Sequence, residues 1–587
     1  MKKDVIIYGI GKIQKDFEYI FNYICVRGYL VDYNNQKLKN WNGKPIFDIE
    51  DIERIKKYEI IICDFDKEVK RNRLEQQGLE YHRHFIIADD LFCELDTPLE
   101  KITQSGEIYV WGTGKCASIF LEKSMYREKV LGCIDNDEDK EGSEFYGKRV
   151  WHPSRIDKNR WSDLFVIIAV DAYHDIKRQL GQYGLEEQKN FIWARYLMPS
   201  ELLKTTMYDC AQYNLVCNTM FNTYEIESSG EVSCCCTTFV NERIGNLVYQ
   251  NFNEIWYSNF HKILCLSVAN KTYSFCKKDM CPVLMEKKKY EYKNDFKETA
   301  PYRRIKDTPS VILISIDSTC NLFCESCRNC VKVLQNAELE KAELMADKLL
   351  SDDNLNNAEL IVMAGNGEVF LSKIYERLWS NDKTKKVKRF RLLSNGTMFT
   401  KEKWAKFVDG RTSEVVVTFS IDAATKETYK VLRRGGNYNQ LMKNLEFASE
   451  LRKMGKLGYF QISFVVQRKN YMEMPLFVEL GKRLGVDKVF FTRILNWGTY
   501  DKEEFGKIAM TDDDGHANAE LQEILNMPIM HDAIVDLGTI NSKSNEIEYD
   551  YIYNYYLWEI ERYLKREPGE GNNIFSSQRE RISEREG

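Results

Sequence analysis

The chain has 587 residues, of which 43% are hydrophobic and 29% charged, with a formal net charge of −5. This length exceeds a single core and predicts about three to five domains. The near-neutral balance excludes an obvious nucleic-acid or membrane partner, and no apolar run approaches the ~20 residues that span a bilayer.

The opening Met-Lys-Lys-Asp enters a strand at once, which predicts no secretory signal and a cytoplasmic location. In that setting the seventeen cysteines, twelve of them between Cys210 and Cys330, read as metal or redox ligands rather than disulfides. Seven histidines over the whole length count against a histidine-based hydrolase.

Residues 1–200 contain one unit twice, which predicts domains over 1–98 and 99–200. The copies open Val5-Ile-Ile-Tyr-Gly9-Ile-Gly11-Lys12 and Ile108-Tyr-Val-Trp-Gly112-Thr-Gly114-Lys115. Each continues to an acid, Asp32 or Asp135, then to a Gly-Lys turn and another apolar strand. Strands alternating with helices at this pace indicate parallel α/β units. Such a glycine turn can hold a phosphate on backbone N–H groups, with the acid near a ribose. The second copy, through Gly112, Gly114 and Asp135, fits better, because the first has Gln14 where a small residue belongs. The repeat resembles the small Rossmann-type domain at the front of some sugar acyltransferases, where it handles nucleotide-sugars. A nucleotide or sugar-nucleotide site and a purely structural module both remain open.

Residues 207–290 carry Cys217, the run Gly230-Glu-Val-Ser-Cys234-Cys235-Cys236, then Ile244-Gly-Asn-Leu247, Cys276 and Cys281. This order resembles the SPASM or "twitch" extension of radical S-adenosylmethionine (SAM) enzymes. The resemblance implies an auxiliary [4Fe-4S] cluster on Cys217, Cys235, Cys276 and Cys281, with Cys234 or Cys236 as substitutes for Cys235. A zinc ribbon on the same four thiolates is the alternative. Cys210 and Cys265 read as packed thiols. The module precedes the segment that it follows in most relatives.

Residues 305–500 begin with the buried strand Val311–Ile316 and the loop Cys320-Asn-Leu-Phe-Cys324-Glu-Ser-Cys327. Three thiols at C-x3-C-x2-C spacing suit a four-iron cube with one iron left open to a small molecule. A zinc site wants a fourth protein ligand, and no histidine lies nearby. Six strand-like runs then alternate with amphipathic helices, too few for an eight-fold barrel.

This segment resembles the radical SAM superfamily, which implies a (β/α)6 partial TIM barrel. Its motifs carry over position by position. Gly365-Asn366-Gly367-Glu368 would hold the methionine ammonium. Ser394 and Asn395, with Ser420 and Asp422, would lie near the SAM ribose and carboxylate. Arg433 and Arg434 would supply the guanidinium for that carboxylate, and Gln467 and Asn470 would lie near the adenosine. Ser326 departs from the aromatic residue usual beside the adenine. Residues 501–587 read as a helical extension interrupted by Pro528, an aromatic helix from Tyr549 to about Arg566, and a disordered end.

The expectation is thus an α/β multidomain radical SAM enzyme with a SAM-binding [4Fe-4S] cluster, an auxiliary [4Fe-4S] cluster and SAM itself. An external donor such as flavodoxin or ferredoxin would reduce it. The front repeat points to oxidation or epimerisation of a sugar or nucleotide-sugar. SPASM relatives more broadly point to a peptide or protein side chain. A non-catalytic redox sensor is the remaining alternative.

Overall fold

The computed structural model describes residues 4–32, 39–96, 107–208, 217–277, 281, 284, 305–538 and 540, apart from 125, 171–172, 188, 238, 241, 352, 364, 497–498 and 513–514. The described chain forms two compact units, one from the described residues up to 208 together with 257–274, the other from the remaining described residues. Among the described residues no helix is long and apolar enough to cross a membrane.

The first unit holds two six-stranded sheets of the same topology. In the first the order is Asn40–Trp41, Lys44–Asp48, Cys25–Val31, Asp4–Tyr8, Glu59–Ile62, Phe85–Ile87. In the second it is Glu144–Phe145, Lys148–Trp151, Val130–Ile134, Glu107–Trp111, Leu164–Ile168, Phe191–Trp193. Every neighbouring pair is parallel except the short outer hairpin of each sheet. Both central strands shift register against their neighbour at the same place, between Val5 and Ile6 and between Ile108 and Tyr109. The central strands are buried on both faces, which is why they read as continuous apolar runs. Each feeds a glycine with φ +116°, Gly9 or Gly112, and then a helix, Lys12–Ile20 or Lys115–Lys123.

The expected 207–290 module is divided between the units. Its helix Asn259–Ala269 is apolar nearly all round, and Phe260, Ile263, Leu264, Cys265 and Leu266 are buried within the first unit. Asn270, just beyond it, donates from Nδ2 to Asp16 Oδ2 at 3.1 Å.

The second unit is built on one ten-stranded sheet rather than six strands. Its order is Gly245–Asn246, Glu231–Ser233, Thr223–Glu227, Val311–Ser315, Leu360–Met363, Arg389–Ser394, Glu414–Ser420, Tyr459–Val466, Lys488–Arg493, Val535–Asp536. From Thr223–Glu227 onward all neighbours are parallel. The hairpin of residues 223–246 thus extends the sheet at the edge of Val311–Ser315. The expected aromatic helix from Tyr549 lies outside the described residues.

The two faces of this sheet differ. Strand register places Glu225, Leu313 and Val362 on one face, together with Glu227 and Ser315. The same alternation adds Leu393, Ser420, Ser463 and Thr492, all half-buried near strand C-termini. The opposite face, with Ile226, Ile314, Leu392, Phe419, Phe464 and Phe491, is fully buried. One face therefore packs against helices, and the other stays partly open at the strand ends.

Candidate functional site: a three-cysteine loop and a four-cysteine hairpin

The strand Val311–Ser315 ends in a tight turn, where Thr319 N–H donates to Asp317 Oδ1 at 2.7 Å. Cys320 then pairs with Lys332 through backbone bonds in both directions, at 2.8 and 3.3 Å, closing the loop at its base. Phe323 N–H and Glu325 N–H donate to the carbonyls of Arg434 and Leu432 at 3.0 and 3.1 Å. The loop is thereby docked on the segment after the fourth of the expected strands.

Each of the three sulfurs receives an N–H donor. Leu322 N–H and Asn395 Nδ2 lie 3.5 and 3.8 Å from Cys320 Sγ. Arg433 Nη1 lies 3.6 Å from Cys324 Sγ, and Arg328 Nε lies 3.4 Å from Cys327 Sγ. Burial pushes the Cys320 and Cys324 thiols up, opposed by the Leu322 N–H for Cys320 and by Arg433 for Cys324. Among the described residues no three Cys, His, Asp or Glu side chains meet at one point, as a single ion requires. A cube places each thiolate on its own iron and makes no such demand.

The loop Gly365–Glu368 lies against this one. A Cβ on Gly367 would strike the carbonyls of Asp317 and Thr319, the latter at 2.8 Å, so only glycine fits. Glu368 is fully buried, and its carboxylate accepts from Ser394 Oγ at 2.8 Å, Asn395 N–H at 2.8 Å and Phe370 N–H at 3.3 Å. Burial pushes its carboxyl up, against the pull of those donors. The acid therefore fastens the second strand's loop to the third's, and three of its acceptor positions are already used. Asn366 gives its carbonyl to Arg328 Nη2.

Asp422 is buried at φ +63° and accepts from Val465 N–H at 2.8 Å while pairing with Arg433. Arg434 donates Nε to the Phe323 carbonyl at 3.1 Å and lies over that ring. Asn470 spans the carbonyls of Asp422 and Val465 at 3.0 and 2.9 Å. Among the described residues the buried polar atoms here that lack a partner include Arg433 Nε and Gln467 Oε1, along with Tyr429 Oη and Glu325 Oε2.

The glycine loops of the first unit are more fully occupied than their spacing suggests. In the first copy, Gln14 Oε1 accepts from Gly11 N–H at 3.3 Å and from Trp41 Nε1 at 3.2 Å. Asp32 is held by Tyr8, Arg73 and Lys70, the last at 2.5 Å. In the second copy, Asp135 accepts from Thr113 Oγ1 at 2.5 Å and pairs with Lys140 at 3.3 Å. A Cβ on Gly112 would meet Val170 Cγ1 and the Ala169 carbonyl, whereas one on Gly114 would meet nothing.

The other cysteine group sits around the 223–246 hairpin. Cys234 and Cys235 are buried, and Cys236 is half-buried. Cys276 bridges to Val240, Lys277 N–H donates to the Phe239 carbonyl at 2.8 Å, and Cys281 N–H donates to the Lys277 carbonyl at 2.8 Å. Burial drives the Cys235 thiol well up, and Cys217, Cys281, Cys236 and Cys276 add to it. Cys276 behaves likewise beside Cys281, Cys217 and Cys234. The four expected ligands thus occupy one neighbourhood. Cys265 lies buried in its helix, away from this group in the chain, and Cys210 lies outside the described residues.

Residues 217–282 match SPASM, an iron–sulfur cluster-binding domain. Residues 104–191 match the family described as C2185-like, N-terminal. No curated protein matches the chain. Solved structures similar to it include SuiB of Streptococcus suis bound to S-adenosylmethionine, at 14% identity over 34% of this chain and 46% of that one, with a TM-score of 0.26. Another is anSMEcpe with bound AdoMet and the Kp18Cys peptide, at 23% identity over 32% and 51%, with a TM-score of 0.24. TYW1 with a lysine-pyruvate adduct matches at 17% over 37% and 71%, with a TM-score of 0.25. The chain covers about two fifths of the length of SuiB in its peptide-bound structure. At these TM-scores the likenesses carry no argument.

The SPASM hairpin contributes more than cysteines. Its strand Thr223–Glu227 places Glu225 on the open face, beside Leu313 and opposite Ser233. Burial and Glu227 push the Glu225 carboxyl from 4.5 up to about 8, with Arg243 opposing. Lys348 fixes the same segment, donating from Nζ to the carbonyls of Leu247, Val248 and Gln250 at 2.8, 2.8 and 2.9 Å. Neither Glu225 nor Arg328 stands out from the sequence. Both gain their place from strand pairing and loop docking, and only the position of Arg328 beside Cys327 hints at it.

Proposed function

We propose that the chain is a radical SAM enzyme with an auxiliary cluster, acting on a peptide or protein side chain. The observation that carries this reading is the three-cysteine loop itself. It leaves the C-terminal end of a parallel strand, every sulfur receives an N–H donor, and it packs against the Gly365–Glu368 loop.

The residues fit the groups this reading requires. Donors of this kind stabilise thiolates and a cluster's sulfurs. The unpartnered Arg433 Nε and Gln467 Oε1 offer a charged donor and an acceptor for a ligand with a carboxylate and an adenosine. Burial lowers and Asp422 raises the Arg433 pKa, with a net rise that keeps the guanidinium charged. Glu368 serves as a brace between two loops rather than as a free acid. The carbonyls of the Gly365–Gly367 turn are then the groups left for an ammonium, with Asn366's already shared with Arg328. When bound, the cluster and SAM supply hydrogen-atom abstraction from an unactivated C–H bond.

The open sheet face favours the peptide reading over a nucleotide-sugar. It presents Glu225 and Glu227 with the hydroxyls of Ser315, Ser420 and Ser463. The cations Arg389 and Lys488 on this face are paired with Glu414 and Asp536, each at 2.7 Å, Arg391 donates to Thr418 Oγ1 at 2.6 Å, and Glu227 is paired with Arg243 at 3.3 Å. Cations already held by a carboxylate or a hydroxyl offer a diphosphate less than free ones would. Asp135, the expected ribose contact of the front repeat, is committed to Thr113 and Lys140.

Anaerobic incubation of the reconstituted protein with SAM, reductant and panels of peptides and nucleotide-sugars tests the reading. The expected outcome is 5′-deoxyadenosine together with a mass change in a peptide. A mass change confined to a nucleotide-sugar would reverse the substrate assignment.

A further inference from the structure

We infer that Arg328 is a positioning residue that raises the reduction potential of the cluster on the three-cysteine loop and ties that loop to the Gly365–Glu368 turn. The inference rests on the radical SAM reading above. All three guanidinium nitrogens of Arg328 are used within the site. Nε lies 3.4 Å from Cys327 Sγ, Nη1 donates to the Ser318 carbonyl at 2.7 Å, and Nη2 donates to the Asn366 carbonyl. The fork thus spans the strand end before the first cysteine, the last cysteine and the turn that would hold the methionine of SAM.

Its charge is also uncompensated. Arg433, the other guanidinium on a ligand sulfur, is neutralised by Asp422 at 2.8 Å. Among the described residues Arg328 forms no ion pair with a carboxylate, and its polar partners are two carbonyls and a sulfur. Reduction adds one negative charge to a cluster. A fixed positive charge at a ligand sulfur stabilises the reduced form more than the oxidised one and shifts the potential upward. Cys320 receives only neutral N–H donors, so the effect is concentrated at the Cys327 corner.

The test is potentiometric reduction of the reconstituted full-length chain, followed by electron paramagnetic resonance. The signal that changes on adding SAM reports the loop cluster, and iron content is measured in parallel. At the wild-type midpoint, Arg328→Gln should lower the reduced-to-oxidised ratio about tenfold, equivalent to about 59 mV for a one-electron couple. Arg328→Met, a second neutral variant, carries the same expectation should the Gln variant load poorly. Arg328→Lys keeps the charge and should stay within about threefold of wild type. Neutral variants with an unchanged ratio, or a Lys variant as low as the neutral ones, would overturn the inference. A wild-type protein that binds iron but gives no SAM-sensitive signal would instead remove the reading on which it rests.

Discussion

Arg433 Nη2 lies 2.8 Å from the Asp422 carboxylate, and the same guanidinium reaches Cys324 Sγ through Nη1 at 3.6 Å. The pair joins the end of the strand Glu414–Ser420 to the cysteine loop. Removing one partner leaves the other charge buried alone, which costs about 3–5 kcal/mol. Asp422→Ala should therefore lower the apparent melting temperature of the metal-free protein by several degrees. Asp422→Asn, which suits the positive φ and keeps a hydrogen bond to Val465, should lower it less. An Ala variant as stable as wild type would show that the pair holds nothing together.

Lys348 offers a second test of how the SPASM hairpin is held. Its ammonium caps the carbonyls of Leu247, Val248 and Gln250, and burial lowers its pKa. Lys348→Met leaves those carbonyls without their donor, at a cost of about 1–3 kcal/mol for an unsatisfied buried group. Limited proteolysis should then cut residues 240–256 faster than in wild type. Equal cleavage rates would contradict that role.

Glu225 gives a pH signature. Its carboxyl is raised from 4.5 to about 8, so the folded chain binds this proton more tightly than the unfolded one. The corresponding stability is complete below pH 4.5 and is lost as pH rises through about 8. The groups facing it are Glu227, which strengthens the effect, and Arg243, which opposes it. Glu225→Gln should flatten the fall in urea midpoint across that window. A slope identical to wild type would place the titration elsewhere.

Two glycines should respond in opposite ways. Gly367→Ala forces a Cβ onto the Asp317 and Thr319 carbonyls and should abolish SAM binding in calorimetry. Gly114 has φ −96° and open space around it, so Gly114→Ala should fold and melt like wild type. A tolerated Gly367→Ala would mean the turn is looser than its contacts imply.

The parts of this architecture that act locally can be read from sequence. The apolar run before Cys320, the C-x3-C-x2-C spacing, the glycine turns and the repeated strand-helix units all depend on near neighbours along the chain. The pairing of Thr223–Glu227 with Val311–Ser315 does not, because it joins segments far apart in sequence, with a helix that packs in the other unit lying between them. The same gap hides Glu225. Glu368 is another instance: its place in a Gly-Asn-Gly-Glu turn suggests a ligand contact, yet Ser394 and Asn395 on the next strand take its oxygens. Asp32 and Asp135 likewise have the spacing of ribose contacts, but Lys70 reaches Asp32 from the helix Lys67–Gln76, and Lys140 pairs with Asp135 from only five residues on.

The central claim is that the three-cysteine loop performs radical SAM chemistry apart from the SPASM cluster. The most direct measurement is the formation of 5′-deoxyadenosine under anaerobic, reducing conditions by wild type and by the triple variant Cys320→Ala/Cys324→Ala/Cys327→Ala. Wild type should carry about eight irons in two four-iron clusters and cleave SAM. The triple variant should keep about half the iron and form no 5′-deoxyadenosine. Equal product from both proteins, or a wild type that binds zinc with no iron or sulfide, would contradict the account.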